Sequence, residues 1–100
     1  MIVISKTILT NFGQKHADVS AALNNWHDYV TQADWKDFNA LKKDFPSADY
    51  VGDNRFVFNI KGNHYRLVVL VFFSVRTVYI KFIGSHAEYN KIDVLTIDKK

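Results

Sequence analysis

Lys61, Arg66, Lys81, His86 and Tyr89 are the side chains whose chemistry stands out in this sequence, and all of them fall in its second half. Together they could break an RNA phosphodiester without a metal. That reaction needs the 2′-hydroxyl deprotonated, the charge on the five-coordinate phosphorus stabilised and the leaving 5′-oxygen protonated. Arginine and lysine suit the second task. Histidine and tyrosine suit the first or the third, tyrosine as a base only with cations nearby to lower its pKa. Tyr79 could stack an exposed base, and Arg76 could touch a phosphate.

Each residue also has a plainer reading. Arg66 opens an otherwise apolar strand, where a lone cation signals either a structural ion pair or a function. Lys61 beside Gly62 suits a solvated turn, and Lys81 suits the guarding of a strand edge. Tyr89 can pack on a sheet, and Arg55 and Arg76, near turns, can simply aid solubility. From these residues alone the chain is a nucleic-acid-binding α+β domain, with cleavage left open.

Other chemistries lack their residues. There is no glycine-rich phosphate loop, no HExxH pair and no serine in a nucleophile elbow. The absence of cysteine removes thiol nucleophiles, disulfides and cysteine-based zinc sites together. The four histidines do not fall at metal-ligand spacing, so neither a metal nor another cofactor is expected. His16 and His27 are expected to be exposed on helix surfaces, and His64 to sit at a hairpin end. The lack of cysteine and of a secretion-signal pattern over residues 1–6 favours the cytoplasm. The apolar run over residues 67–73 is too short to span a bilayer, so no membrane partner is expected.

The elements that must position these groups can be read from the pattern. One hundred residues, about half of them hydrophobic, suit a single domain over residues 1–100 with a real core. Residues 1–5 read as a first strand. Residues 6–16 read as a short helix with Ile8, Leu9 and Phe12 on one side, weakened by Gly13. Asp18 is placed to cap a second helix, whose Val19, Ala22, Leu23, Trp26 and Val30 follow amphipathic spacing. Asp34 is placed to cap a third, with Trp35, Phe38, Leu41 and Phe45 inward and Pro46 as the stop.

The period then changes to two. Residues 50–54 read as a strand end and turn. Residues 55–61 alternate, with Phe56, Phe58 and Ile60 on one face and Arg55, Val57, Asn59 and Lys61 on the other. Gly62-Asn63 signals a tight turn. Residues 65–73 are apolar on both faces, as in a central strand, and residues 74–76 turn again. Residues 77–83 alternate with Val78, Ile80 and Phe82 inside. The tail offers one helical turn and a short strand over 94–97. Helices followed by an antiparallel meander make an α+β fold. Asn59, Lys61, Tyr79 and Lys81 would form a half-polar open face for a ligand. Charge supports this only mildly: residues 1–50 hold five Lys and six Asp (−1), and residues 51–100 hold eight Lys or Arg and four Asp or Glu (+4).

The stretch Phe56-Val57-Phe58-Asn59-Ile60-Lys61-Gly62-Asn63-His64-Tyr65-Arg66-Leu67-Val68, followed by Ile80-Lys81-Phe82-Ile83-Gly84-Ser85-His86-Ala87-Glu88-Tyr89-Asn90-Lys91, resembles the HigB branch of the RelE-like toxins. The Gly-Asn-x-x-Arg hairpin and the closing His-x-x-Tyr carry the resemblance, and the aromatic helix ending in Phe45-Pro46 fits it. The resemblance implies N-terminal helices on one face of a small antiparallel sheet. It implies a type II toxin, an endoribonuclease that cuts messenger RNA, usually in the ribosomal A site, by metal-independent attack of the 2′-hydroxyl. A HigA-like helix-turn-helix antitoxin would neutralise it and contact operator DNA.

By that resemblance Arg66 matches the arginine that steadies the scissile phosphate. Tyr89 matches the tyrosine after the last main strand, His86 the neighbourhood of another catalytic cation or histidine, and Lys61 a basic position on the preceding strand. Val57 and Asn59 stand where RelE itself has lysines, which leaves proton transfer to His86 with Tyr89 as companion. Lys81, Asn59, Asn63, Tyr79 and Arg76 are the expected RNA contacts. The competing readings are a non-catalytic RNA- or protein-binding module on the same fold, and an inactive relative whose basic half only meets an acidic antitoxin.

Overall fold

The computed structural model describes residues 1–94. In chain order it contains β1 (Ile2–Ile4), α1 (Lys6–Lys15), α2 (Ala17–Gln32), α3 (Phe38–Asp44), β2 (Asp49–Gly52), β3 (Arg55–Ile60), β4 (Tyr65–Phe72), β5 (Thr77–Ser85) and the single turn α4 (His86–Tyr89). The sheet order is β1-β5-β4-β3-β2. β2 to β5 form the antiparallel meander that the alternation predicts. β1 adds to β5 in parallel, which makes the sheet mixed. That pairing has no local signal, because α1 to α3 and β2 to β4 lie between β1 and β5 in the chain.

The helices cover one face. Val19, Leu23, Trp26 and Val30 of α2 and Leu9 of α1 are buried against Phe56, Phe58, Leu67, Val69, Val71, Val78 and Ile80. Burial of each such side chain is worth about 1.5–3 kcal/mol, so this stripe is the main source of stability. Trp26 meets the Phe58 ring edge-on at 5.4 Å, and Phe45 meets it at 5.0 Å. Gly13 lets α1 approach α2 closely, since a Cβ there would lie 3.2 Å from Ser20 Oγ. Among the described residues no helix is long and apolar enough to cross a membrane.

Several expectations change. Asp18 is not the cap of α2: His16 holds that position, and Asp18 lies inside the first turn. Asp37, not Asp34, caps α3, accepting from the Ala40 N–H at 2.9 Å. Trp35 is buried but precedes the helix, and Phe38 is 40% exposed, packed on Tyr50 and Phe56 at the sheet edge. His16 is partly buried, stacked on Phe12 at a centroid distance of 4.2 Å, and His27 is also partly buried. Arg55 is buried and bonded to Asp53 at 2.8 Å, so it does not serve as a solvated surface charge.

β5 carries a bulge. Val68 pairs with Phe82 but Val69 pairs with Ile80, so Lys81 is the extra residue. The bulge flips the alternation, and Ile83 rather than Phe82 joins the core. β1 pairs only with Thr77, Val78 and Tyr79, so Lys81 lies beyond the stretch of β5 that β1 covers. On the second face Val57 and Val68 are buried, so the half-polar surface is smaller than the alternation suggests. The expected strand over 94–97 lies, beyond Val94, outside the described residues.

Candidate active site

The loop of residues 61–64 and the start of α4 meet at one end of the sheet. Arg66 lies opposite Asn59 on β3 and opposite Gly84 on β5. Tyr65 and Leu67 pack with the core, so the side chain of Arg66 leaves on the face away from the helices. It is partly buried, and its Nη1 donates to the carbonyls of Asn63 at 3.1 Å and Tyr65 at 3.4 Å. Among the described residues it has no carboxylate partner, so the structural ion pair left open for it is not formed. A guanidinium fixed by neutral carbonyls, with donors left over, is suited to receive an anion.

A four-residue helix cannot hold itself by its own ladder. α4 is held by its ends. Ser85 Oγ accepts from the Glu88 N–H at 3.1 Å, and Glu88 Oε1 accepts from the Ser85 N–H at 2.8 Å, a capping box. The hydrogen bond from the Ser85 backbone, seconded by its side chain, holds the Glu88 carboxyl below its ordinary pKa. The His86 N–H donates to the His64 carbonyl at 3.0 Å and ties α4 to the hairpin loop.

His86 and Tyr89 are three apart and share one side of the turn. Asn90 Nδ2 and His86 Nδ1 lie 3.0 Å apart, within hydrogen-bond distance. His86 is exposed and Tyr89 is half-buried. Gly84 has no side chain to fill the space opposite Arg66. A Cβ there would meet Phe82 Cζ at 2.6 Å.

The structure thus brings Arg66, Asn59, Asn63 and α4, which carries His86 and Tyr89, to one end of the sheet. Tyr79 and Lys81 lie further along it, with the Lys81 ammonium 5.7 Å from the centre of the Tyr79 ring, which meets Phe72 edge-on. Lys61 is turned toward the helices, at a φ of 53°, and its ammonium pairs with Asp18 at 3.1 Å. Asp18 also accepts from the Tyr65 hydroxyl at 3.0 Å. These two hydrogen bonds, Lys61 first, hold the Asp18 carboxyl below its ordinary pKa. Arg76 stands in the β4–β5 turn at the opposite end of the sheet, paired with Asp34 at 2.6 Å. Tyr79, three residues further along the chain, also lies nearer that end than the Arg66 end.

Residues absent from the sequence-based set also shape the site. The capping box is legible as Ser85-x-x-Glu88. His64 contributes a backbone carbonyl, which no side-chain pattern announces. Asp18 reads locally as a helix cap, and that reading conceals its partners on the hairpin.

Residues 19–92 match a family described as HigB_toxin, the RelE-like toxic component of a toxin–antitoxin system. The mRNA interferase toxin HigB of Escherichia coli (strain K12) is 31% identical over 93 residues, covering 90% of this chain and 88% of that protein. The mRNA interferase HigB of Shigella flexneri gives the same figures. The mRNA interferase HigB of Escherichia coli O6:H1 is 26% identical over 94 residues, covering 92% of this chain and 91% of its own.

Proposed function

This chain belongs to the HigB family of RelE-like toxins, and from that premise we propose that it is an endoribonuclease that cuts messenger RNA at the Arg66–His86–Tyr89 end of its sheet. The relatives named as mRNA interferases support the reaction class. The observation that carries the site is Arg66: a partly buried guanidinium with no carboxylate among the described residues, fixed by the hairpin carbonyls beside α4. A phosphate seated there would have the developing negative charge stabilised by a cation already in place.

His86 and Tyr89 then carry the two proton transfers, one from the attacking 2′-hydroxyl and one to the departing 5′-oxygen. Asn59 and Asn63 offer amide groups to the sugar and bases, and Tyr79 with Lys81 extends the binding face. Lys61 contributes through the hairpin it belongs to, with its ammonium held by Asp18. No metal is called on in this scheme. The partners that follow are a HigA-like helix-turn-helix antitoxin, through which operator DNA is reached, and messenger RNA in the ribosomal A site, with the cytoplasm as the compartment.

The test is to mix the purified chain with messenger RNA on translating ribosomes and map the new ends. Fragments bearing 5′-hydroxyl ends are expected, and a 2′-deoxy nucleotide at the cut position should block their formation. Binding without new ends would favour the non-catalytic module. Cleavage that ignores the 2′-deoxy substitution would overturn the proposed route.

A further inference from the structure

We propose that Asp18 is a positioning residue for the cleavage centre, acting from the helix layer through the hairpin loop that holds Arg66 and His86; this rests on the function proposed for that site. Asp18 sits in the first turn of α2, next to Val19, which is fully buried in the core. It is therefore mounted on a fixed part of the molecule. Its carboxylate takes the Lys61 ammonium at 3.1 Å and the Tyr65 hydroxyl at 3.0 and 3.3 Å. Lys61 opens the loop of residues 61–64 and Tyr65 is the first residue of β4. One carboxylate thus ties down both ends of the loop.

The interior of the same loop supplies the groups that orient the reacting side chains. The Asn63 carbonyl accepts from Arg66 Nη1, and the His64 carbonyl accepts from the His86 N–H at 3.0 Å. The loop holds Lys61 and Gly62 at φ values of 53° and 67°. For Lys61 this is a conformation that a residue with a Cβ adopts only when its surroundings impose it. The bond to Asp18 is such an imposition. An open groove of about 300 Å³ lined by Asp18, Lys61, His64, Tyr65 and Ser85 borders the loop on this side. The core does not press the loop into place there, so the hydrogen bonds must do it. Asp18 lies on the helix side and Arg66 leaves on the other, so Asp18 reaches the phosphate only through the loop.

The test uses the full chain with Asp18→Ala, and with Asp18→Asn, which keeps the size and one acceptor, where alanine prevents folding. The single-turnover cleavage rate should fall between about 10-fold and 100-fold, while KM for the RNA changes much less. Asp18→Glu should recover part of the loss. Amide exchange at His86 should quicken in the substituted chain. The loss should multiply only in part with that of Arg66→Ala, because the share that runs through Arg66 is then already gone while the share that runs through His86 remains. An unchanged rate, independent penalties for the two substitutions, or unchanged exchange at His86 each overturn the proposal. Failure of the unsubstituted chain to cut RNA would overturn the functional reading instead, and His86 exchange would still report on positioning.

Discussion

The backbone N–H of His86 donates to the carbonyl of His64 across 3.0 Å, joining the first residue of α4 to the loop between β3 and β4. The two residues are far apart in the chain and lie in segments that otherwise make separate turns. The bond makes the position of the His86–Tyr89 pair depend on the same loop that orients Arg66. Arg66 and α4 therefore share one support, the loop of residues 61–64.

Ser85→Ala should affect cleavage more than stability. It removes one of the two bonds of the capping box, a change of about 1 kcal/mol for a helix N-cap. In a domain of this size that lowers Tm by about 4–8 °C. α4 has only four residues, so loss of its cap loosens His86 and Tyr89 directly. Cleavage should drop by at least about tenfold. Calorimetry and single-turnover kinetics on one preparation check both halves, and a variant with normal rate and lowered Tm would contradict the argument.

Arg66→Ala should lower the cleavage rate by about 100-fold to 1,000-fold, the range for loss of a group aimed at transition-state charge. Its effect on Tm should be small, because no ion pair among the described residues is broken. Arg66→Lys keeps the charge and loses the planar fork, so it should recover only part of the rate. A lysine variant as slow as alanine would mean that geometry, not charge, is what Arg66 supplies.

Period-two alternation made β3 and β5 legible, an apolar run on both faces made β4 legible, and the spacing of Val19, Leu23, Trp26 and Val30 made α2 legible, because burial leaves a local signature. The bulge at Lys81 leaves none: a single extra residue alters which face Phe82 and Ile83 take only through the pairing with β4. The exchange of Asp34 for Asp37 as the cap of α3 has a similar origin. Both aspartates suit a cap locally, and Arg76, 42 positions further on, claims Asp34. Arg66 and His86 stand out by their types, yet the groups that bond to them are the backbone carbonyls of Asn63, Tyr65 and His64, which every sequence contains. Lys61 and Arg76 looked alike as basic turn residues and were separated only by the acidic partners that folding brought to them.

Gly84→Ala should destabilise the protein in a way that depends on Phe82. The added methyl would lie 2.6 Å from Phe82 Cζ and 3.2 Å from Glu88 Oε1. The ring must move, and overpacking of this kind costs about 1–3 kcal/mol. With Phe82→Ala already present the clash is gone, so the further penalty of Gly84→Ala should be small. Urea unfolding of the two single variants and the double variant gives the coupling. Additive penalties would show that the Glu88 contact, rather than the Phe82 ring, sets the cost.

Stability should fall as the medium is acidified below the ordinary carboxylate range, about pH 4. Asp18, bonded to Lys61 and Tyr65, Asp34, bonded to Arg76, and Glu88, bonded to Ser85, all have folded-state pKa values lowered from their ordinary ones. A lowered pKa means that the unfolded chain binds the proton more readily. The contribution of each carboxylate is therefore complete above its unfolded pKa and is lost as pH falls through the folded one. Near neutrality the dependence from these groups should be flat. Asp18 and Asp34 are exposed, so solvent screening keeps each effect modest. Urea unfolding measured stepwise through the acid range should show a shallower acid slope in Asp34→Asn than in the parent, with a slightly lower plateau near neutrality. A slope unchanged by that substitution, with the Arg76 pair removed, would mean that Asp34 titrates alike in the folded and unfolded chain.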